Sequence, residues 1–299
     1  MTIDLGLDKV HGAIDSQYGL VCAMDVLGMR QQSETNAQGT LMKLLELKRS
    51  FRLEGMAQNH KKNRDRHLPF DEEFKYYTTD AEIDTFFAGD TCFIAKRFQK
   101  NLPCGHQIWN GTRDITRFFR SAMYQGLMMR GALAIGKYYW SYGDELVIGQ
   151  AINAAVADCE IADWIGLHFT KESREIVRRE VSGLPASYQD LFFDYEVPRK
   201  PRTKSNGTLI CIGWPSFFWP IIGVTDDPLD AIEKGRSEIE TIFAKQKPPD
   251  GARRKYRETR KFFDRYKDWF INAWLPVYKR ELEHEMNETV RRLNYGRSV

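Results

Sequence analysis

An α+β fold, with helices packed on a sheet and a helical extension at the C-terminal end, is what the sequence predicts. Three observations carry this. Short apolar runs bounded by turn residues alternate with segments of helical spacing up to about residue 225. Their order is strand, helix, hairpin, helix, hairpin, helix, strand. From Asp230 onward the pattern changes to long helical segments. The chain is 42% hydrophobic and 28% charged over 299 residues, enough to bury a core. That length favours about two units, divided here as a sheet domain over 1–225 and a helical extension over 226–299.

The elements follow in order. Residues 18–29, YGLVCAMDVLGM, read as an apolar strand ending in a turn, with Asp25 lodged at its end. Leu41 to Leu53 places Leu41, Leu44, Leu45 and Phe51 at helical spacing. Residues 58–80 are polar and charge-rich and read as an exposed insertion, with Lys61, Lys62, Arg64 and Arg66 as a solvated cluster. In 83–95, apolar runs flank Gly89-Asp90, the pattern of a tight hairpin. Asp114 to Met129 reads as a helix burying Phe118, Phe119, Met123 and Leu127. Residues 130–139 form a third strand, which Asp144 to Ile148 continue as a hairpin. Gly149 opens an Ala-rich helix that stops near Gly166. LHFT (167–170) is the next strand and KESREIVRRE another helix.

Ser205 to Thr225 carries no charge and invites a membrane reading. Gly207, Gly213, Pro215 and Pro220 instead suit a buried strand followed by an aromatic loop. In 253–299, 13 Lys/Arg stand against 7 Asp/Glu and aromatics from Tyr256 to Trp274 recur at helical spacing. This reads as a helix with one aromatic face buried, broken at Pro276, and nucleic acid is not the expected partner. The net charge of +3 excludes a polybasic protein as a whole. Five cysteines without a C-x-x-C pair, and acidic residues where a leader needs basic and apolar ones, point to a reducing cytoplasm. Cys104-Gly105-His106 lacks a second ligand pair and is read as a loop, and His168 as a core histidine.

The informative residues are two aspartates. Asp25 in M-D-V-L-G and Asp90 in A-G-D-T each sit at a strand end or hairpin tip inside apolar sequence. A carboxylate there is costly to bury without a compensating cation. Two of them sharing hard oxygen ligands suit Mg²⁺ or Mn²⁺ and phosphoryl chemistry. The bland alternative is that each caps a turn.

Four short motifs in order make residues 18–170 resemble the class III nucleotidyl cyclases, whose sheet is ferredoxin-like. Ala23-Met24-Asp25-Val26-Leu27-Gly28-Met29 matches the first metal-aspartate strand of that family, and Gly89-Asp90 its second. Arg130-Gly131-Ala132-Leu133-Ala134-Ile135-Gly136 keeps the arginine and second glycine of R-x-G-x-x-x-G. Gly149-Gln150-Ala151-Ile152-Asn153 matches the glycine and asparagine that open a helix. The chain also looks like the pyrimidine cyclases of anti-phage defence (Pycsar systems).

The resemblance implies that a nucleoside triphosphate is cyclised to a 3′,5′-cyclic monophosphate with release of pyrophosphate. Asp25, Asp90 and the Val26 carbonyl would hold two Mg²⁺ or Mn²⁺ ions. Amides around Gly28 and Met29 would cradle phosphate, Arg130 would neutralise the β/γ phosphates, and Asn153 would position the ribose. A head-to-tail homodimer is implied as well. Departures accompany the match: Phe86 and Leu146 stand where purine cyclases place base readers, and Ala157 stands where they place a transition-state arginine. Lost purine readers favour UTP or CTP. The missing arginine calls for a substitute among Lys96, Arg97, or Arg199 and Lys200 of a second subunit, or else marks a catalytically silent nucleotide sensor or interaction module.

Overall fold

The computed structural model describes residues 17–64, 83–141, 146–201, 203, 207–219, 227–246, 248 and 252–295. The basic residue Arg66, most of the polar insertion, Asp144, and Pro220 to Thr225 lie outside the described residues.

Strand β1 (Gln17–Val26) is followed by helix α1 (Met29–Arg64), the hairpin β2 (Ile83–Ala88) and β3 (Thr91–Arg97), helix α2 (Cys104–Tyr124) and β4 (Met129–Ser141). These strands lie antiparallel in the order β2-β3-β1-β4, which is the split βαββαβ arrangement of ferredoxin-like folds. Strand β5 (Leu146–Ile148) pairs with the end of β4. After α3 (Gln150–Ile161), strand β6 (Gly166–Phe169) joins β4 in parallel. Helix α4 (Lys171–Val181) leads to β7 (Phe192–Glu196) and β8 (Thr208–Ile212), which complete the order β4-β6-β8-β7. The rest is helical: α5 (Pro228–Gln246), α6 (Arg253–Trp269), a π-helical turn at Phe270–Trp274, and α7 (Leu275–Tyr295).

Side chains alternate across β1, so its two faces meet different partners. Leu20, Cys22, Met24 and Val26 point into the main core, where α2 contributes Ile108, Ile115, Phe118, Phe119 and Met123. Val21 and Ala23 lie on the other face with Ala132 and Ala134 of β4, against Ala151, Ile152, Ala155 and Cys159 of α3. Alanines on both sides let α3 lie close to the sheet. Asp25 has the same parity as Val21 and Ala23 and therefore belongs to this α3 face.

The remainder of that face is covered by α6. Pairing of His168 with Ala132 and Cys211, and of Phe193 with Cys211, puts these four residues on one side. Phe262 packs there edge-on against Trp164 (4.8 Å) and Tyr195 (5.1 Å), and Tyr266 against Phe193. Tyr256, Thr259, Phe262, Phe263 and Tyr266 form the buried stripe of α6 at helical spacing. The basic residues between them face outward, as the sequence pattern implied. The extension and the sheet therefore share one apolar core.

Several boundaries differ from expectation. Helix α2 begins at Cys104 rather than Asp114, so Cys104-Gly105-His106 is its first turn and not a loop. It ends at Tyr124 because Gly126, at φ +78°, turns the chain back into β4. Helix α1 starts at Met29, well before Leu41, and is kinked at Asn36, whose Oδ1 accepts from the Gly39 amide (2.9 Å) as an N-cap for the longer part. Lys61, Lys62 and Arg64 fall on α1 rather than in a loop. Strand β7 was not anticipated. Pro276 does not end the helix: α6, the π-helical turn and α7 run on without a gap from Arg253 to Tyr295. The regular α-helical pattern gives way to the π turn directly before the proline, whose ring and missing N–H an α-helix interior does not accept.

Truncating Phe262 to alanine removes the ring that ties α6 to β7 and to Trp164 in the segment before β6. We expect a loss of about 3–5 kcal/mol and a single unfolding transition in urea. A sheet that unfolds at unchanged denaturant concentration would show that the extension is an independent unit.

Candidate active site

Asp25 and Asp90 meet at one end of the sheet. Asp25 ends β1, paired with Thr91 of β3 and Arg130 of β4. Asp90 occupies the β2–β3 turn, and its carbonyl accepts from the Val26 amide at 3.0 Å. Each aspartate is followed or preceded by a glycine in the left-handed region, Gly28 at φ +74° and Gly89 at φ +63°. Those turns let the chain reverse tightly beside the carboxylates without the strain an L side chain would carry. The Leu27 amide is fixed by the Met128 carbonyl (2.7 Å), so the turn carrying Gly28 and Met29 is anchored to β4.

Arg130 is buried and holds Asp25. Its Nε and Nη2 donate to the same carboxylate oxygen, Oδ2, at 3.1 and 2.7 Å, and Nη1 donates to the Ala162 carbonyl at 2.8 Å. The guanidinium is thereby turned into the protein. It is the residue expected to reach phosphates, and here it orients a carboxylate. Burial pushes the Asp25 pKa above the usual carboxylate value; Arg130 opposes that shift, Asp90 adds to it, and the charge of Lys200 opposes it. Two carboxylates so placed call for more positive charge than one arginine provides.

Of the other expected residues, Phe86 lies on this face and Asn153 on the helix that covers it, while Leu146, paired with Ser141, has the opposite parity to Arg130. Phe86 stacks on Phe93 (6.2 Å, 17°), which pairs with Ala23 two positions before Asp25. Leu146 is 62% exposed and pairs with Ser141, roughly 35 Å along β4 from Arg130 at about 3.3 Å per residue. Asn153 is exposed in the first turn of α3, whose N-cap Gly149 lies against Tyr138, whereas Cys159 in the last turn reaches the Arg130 carbonyl. Asn153 is thus nearly two turns, about 9 Å, further along the helix. Leu146 and Asn153 do not meet the carboxylates within one chain.

Among the substitutes for the missing arginine, Lys96 pairs with Leu20 and projects to the opposite face, where its Nζ lies 3.3 Å from Asp114. Arg97 pairs with Gly19, about 20 Å along β1 from Asp25. Arg199 and Lys200, expected from a second subunit, lie beside the site in the same chain. Arg199 bridges to Ala162 and its guanidinium is 3.6 Å from Asp158, and the Lys200 amide donates to the Ile161 carbonyl. The sequence signal for this was the run Arg199-Lys200, whose position depends on a loop returning from the sheet edge. His168 is a core residue: burial, with Arg199 nearby, pushes its pKa down to about 3, so the ring is neutral.

Two carboxylates and the Val26 main-chain carbonyl form a donor set of hard oxygens, which fits Mg²⁺ or Mn²⁺. Among the described residues no group of three or more His, Cys, Asp or Glu is assembled, so further ligands would come from substrate or water. A groove of about 660 Å³ between β7 and α6, lined by Asp194, Glu196, Lys261 and Arg265, shares no residue with this site. No described helix is long and apolar enough to cross a membrane.

No protein-family model matches the chain, and no curated protein matches it. Similar solved structures include the guanylyl cyclase Cya2, at 10% identity and TM-score 0.40, covering 66% of this chain and 92% of that one. The catalytic core of a rhodopsin-guanylyl cyclase with converted specificity, in complex with ATPαS, is 8% identical with a TM-score of 0.39, covering 67% and 97%. The adenylyl cyclase CyaB from P. aeruginosa is 14% identical with a TM-score of 0.35, covering 67% and 94%. At this degree of likeness nothing about the activity of those proteins transfers to this chain.

Replacing Arg130 with methionine leaves Asp25 half-buried and unpaired. Stability is expected to fall by about 2–4 kcal/mol, less than for a wholly buried pair because Asp25 keeps some solvent. The double variant Asp25→Asn/Arg130→Met is expected to recover part of that loss in urea denaturation. Additive losses would mean that the two side chains do not interact.

Proposed function

We propose that the protein is a nucleotidyl cyclase that converts a pyrimidine nucleoside triphosphate, UTP or CTP, to its 3′,5′-cyclic monophosphate and pyrophosphate. The observation that carries this is the Asp25–Asp90 pair at the end of β1 and the adjoining hairpin, with Arg130 behind it. Asp25, Asp90 and the Val26 carbonyl would hold divalent ions, which when bound supply acidity to the 3′-hydroxyl and charge to the triphosphate. Arg130 holds Asp25 through Oδ2 and makes no bond to its other oxygen, which would serve as the ligand. Lys200 adds positive charge at the phosphate side, and amides of the Gly28 turn offer donors to phosphate oxygens.

Ribose and base contacts would come from a second copy. Leu146 and Asn153 are exposed at a distance from the carboxylates, and Tyr139, Leu146 and Ile148 form an exposed apolar hairpin suited to a partner. Closing two copies head to tail gives two equivalent sites, each combining the carboxylates of one chain with Asn153 of the other. Apolar Phe86 and Leu146 in the base-reading positions favour a base bound without purine-specific hydrogen bonds. A role in anti-phage signalling rests on the motif resemblance.

A second reading is favoured by Ala157 and by the full engagement of Arg130 with Asp25 and Ala162: a cyclase-like nucleotide sensor. Incubation with Mn²⁺ and each of ATP, GTP, CTP and UTP, with products resolved by mass spectrometry, separates the two. We expect a cyclic pyrimidine monophosphate, reduced on the order of 10³-fold in Asp25→Asn and Asp90→Asn. Nucleotide binding without any product would leave the sensor. Mixing equal amounts of Asp25→Asn and Asn153→Ala should restore about a quarter of wild-type activity, since half the dimers carry one intact site of two. No recovery on mixing would contradict the shared site.

A further inference from the structure

Arg130 is held at its far side by a segment that the C-terminal extension grips. Its Nη1 donates to the carbonyl of Ala162, the residue that ends α3 and opens the linker to β6. Helix α6 fixes that linker at three points. The Thr259 hydroxyl accepts from the Ile165 amide at 2.8 Å, donates to the Lys255 carbonyl of its own helix at 2.8 Å and stands 3.3 Å from the Ile165 carbonyl. The Asp163 carboxylate, 9% exposed, is flanked by Arg254 (3.2 Å) and Lys255 (3.5 Å). Trp164, fully buried, stands edge-on to Phe262.

The same helix reaches the second strap on the site. Arg254 donates to the Arg199 carbonyl at 3.3 Å, and residues 198–200 bond to the linker through Asp163 N to Pro198 O and to the end of α3 through Lys200 N to Ile161 O. Thr259 is 1% exposed and lies outside the segment that carries the cyclase-like motifs. A buried threonine whose hydroxyl serves another segment's backbone has a specific partner to lose. Its loss frees the linker at the residue range that sets the Ala162 carbonyl, and so the guanidinium.

We propose that Thr259, supported by the Asp163–Arg254/Lys255 pair, is a positioning residue that holds Arg130 in register with Asp25 through the Ala162 linker. The C-terminal extension is then part of the catalytic apparatus. The inference rests on the cyclase reading, because it gives Arg130 a function at the triphosphate site.

The test is calorimetric titration of inorganic tripolyphosphate with Mn²⁺ into five proteins, each with the whole chain and well below its melting temperature: wild type, Thr259→Val, Thr259→Ser, Arg130→Gln and the double variant Thr259→Val/Arg130→Gln. Thr259→Val should bind about tenfold more weakly, and Thr259→Ser, which keeps the hydroxyl, within about twofold of wild type. With Arg130→Gln already present, Thr259→Val should cost nothing further, since a residue that acts through Arg130 is silent without it. An equal loss in both backgrounds, or wild-type binding by Thr259→Val, overturns the proposal while the cyclase reading stands. A wild-type protein that binds no tripolyphosphate overturns both. Should Thr259→Val fail to fold, Asp163→Asn takes its place with the same expected pattern.

Discussion

The contact between Arg130 and Asp25 constrains the rest of the site. A carboxylate at the end of β1, with a second one across the turn, is unfavourable in a half-buried position unless positive charge is fixed beside it. Arg130 supplies it from the paired position on β4, using two donors on one oxygen and a third on the Ala162 carbonyl. Everything that sets the Arg130 backbone also sets Asp25. This includes the parallel pairing of β4 with β6, the close approach of α3, and the linker between them.

That geometry explains the composition of the α3 face. Val21, Ala23, Ala132 and Ala134 are small beside the large residues of the opposite face, and α3 packs low enough for Cys159 to touch the Arg130 carbonyl. Further along the sheet, where β8 and β7 have no such helix, aromatic residues of α6 fill the space. The aromatic network from Trp164 through Phe262 to Tyr266 is thus continuous with the polar contacts at Asp163 and Thr259. One helix supplies both core and alignment.

Much of this was legible in the sequence. The β2–β3 hairpin announced itself by Gly89-Asp90 between apolar runs, and β1 by an uninterrupted apolar stretch ending in an aspartate. The amphipathic stripe of α6 was evident from aromatic spacing. The first half of α2 was missed because Gly105, Asn110 and Gly111 have poor helix propensity, which tertiary packing overrides. FFDYE was not recognised as a strand because, short and ending in charge, it lacks an alternation long enough to stand out. Of the site, the two aspartates and Arg130 were identifiable as types, but not the guanidinium's direction. That depends on the Ala162 carbonyl, which belongs to a linker with no motif. The contribution of Lys200 in its own chain, and that of Thr259, depend on long-range returns of the chain that local pattern does not encode.

On the proposed reading, Asp25 and Asp90 together form a site for a divalent ion carrying a triphosphate. Electron paramagnetic resonance of Mn²⁺, titrated with the full-length protein and a non-cyclisable UTP or CTP analogue, measures this directly. Wild-type protein should diminish the six-line signal of free Mn²⁺ beyond the loss caused by the nucleotide alone, and Asp25→Asn and Asp90→Asn should each abolish that change. A spectrum that wild-type protein leaves unaltered, or that both variants alter equally, would contradict it.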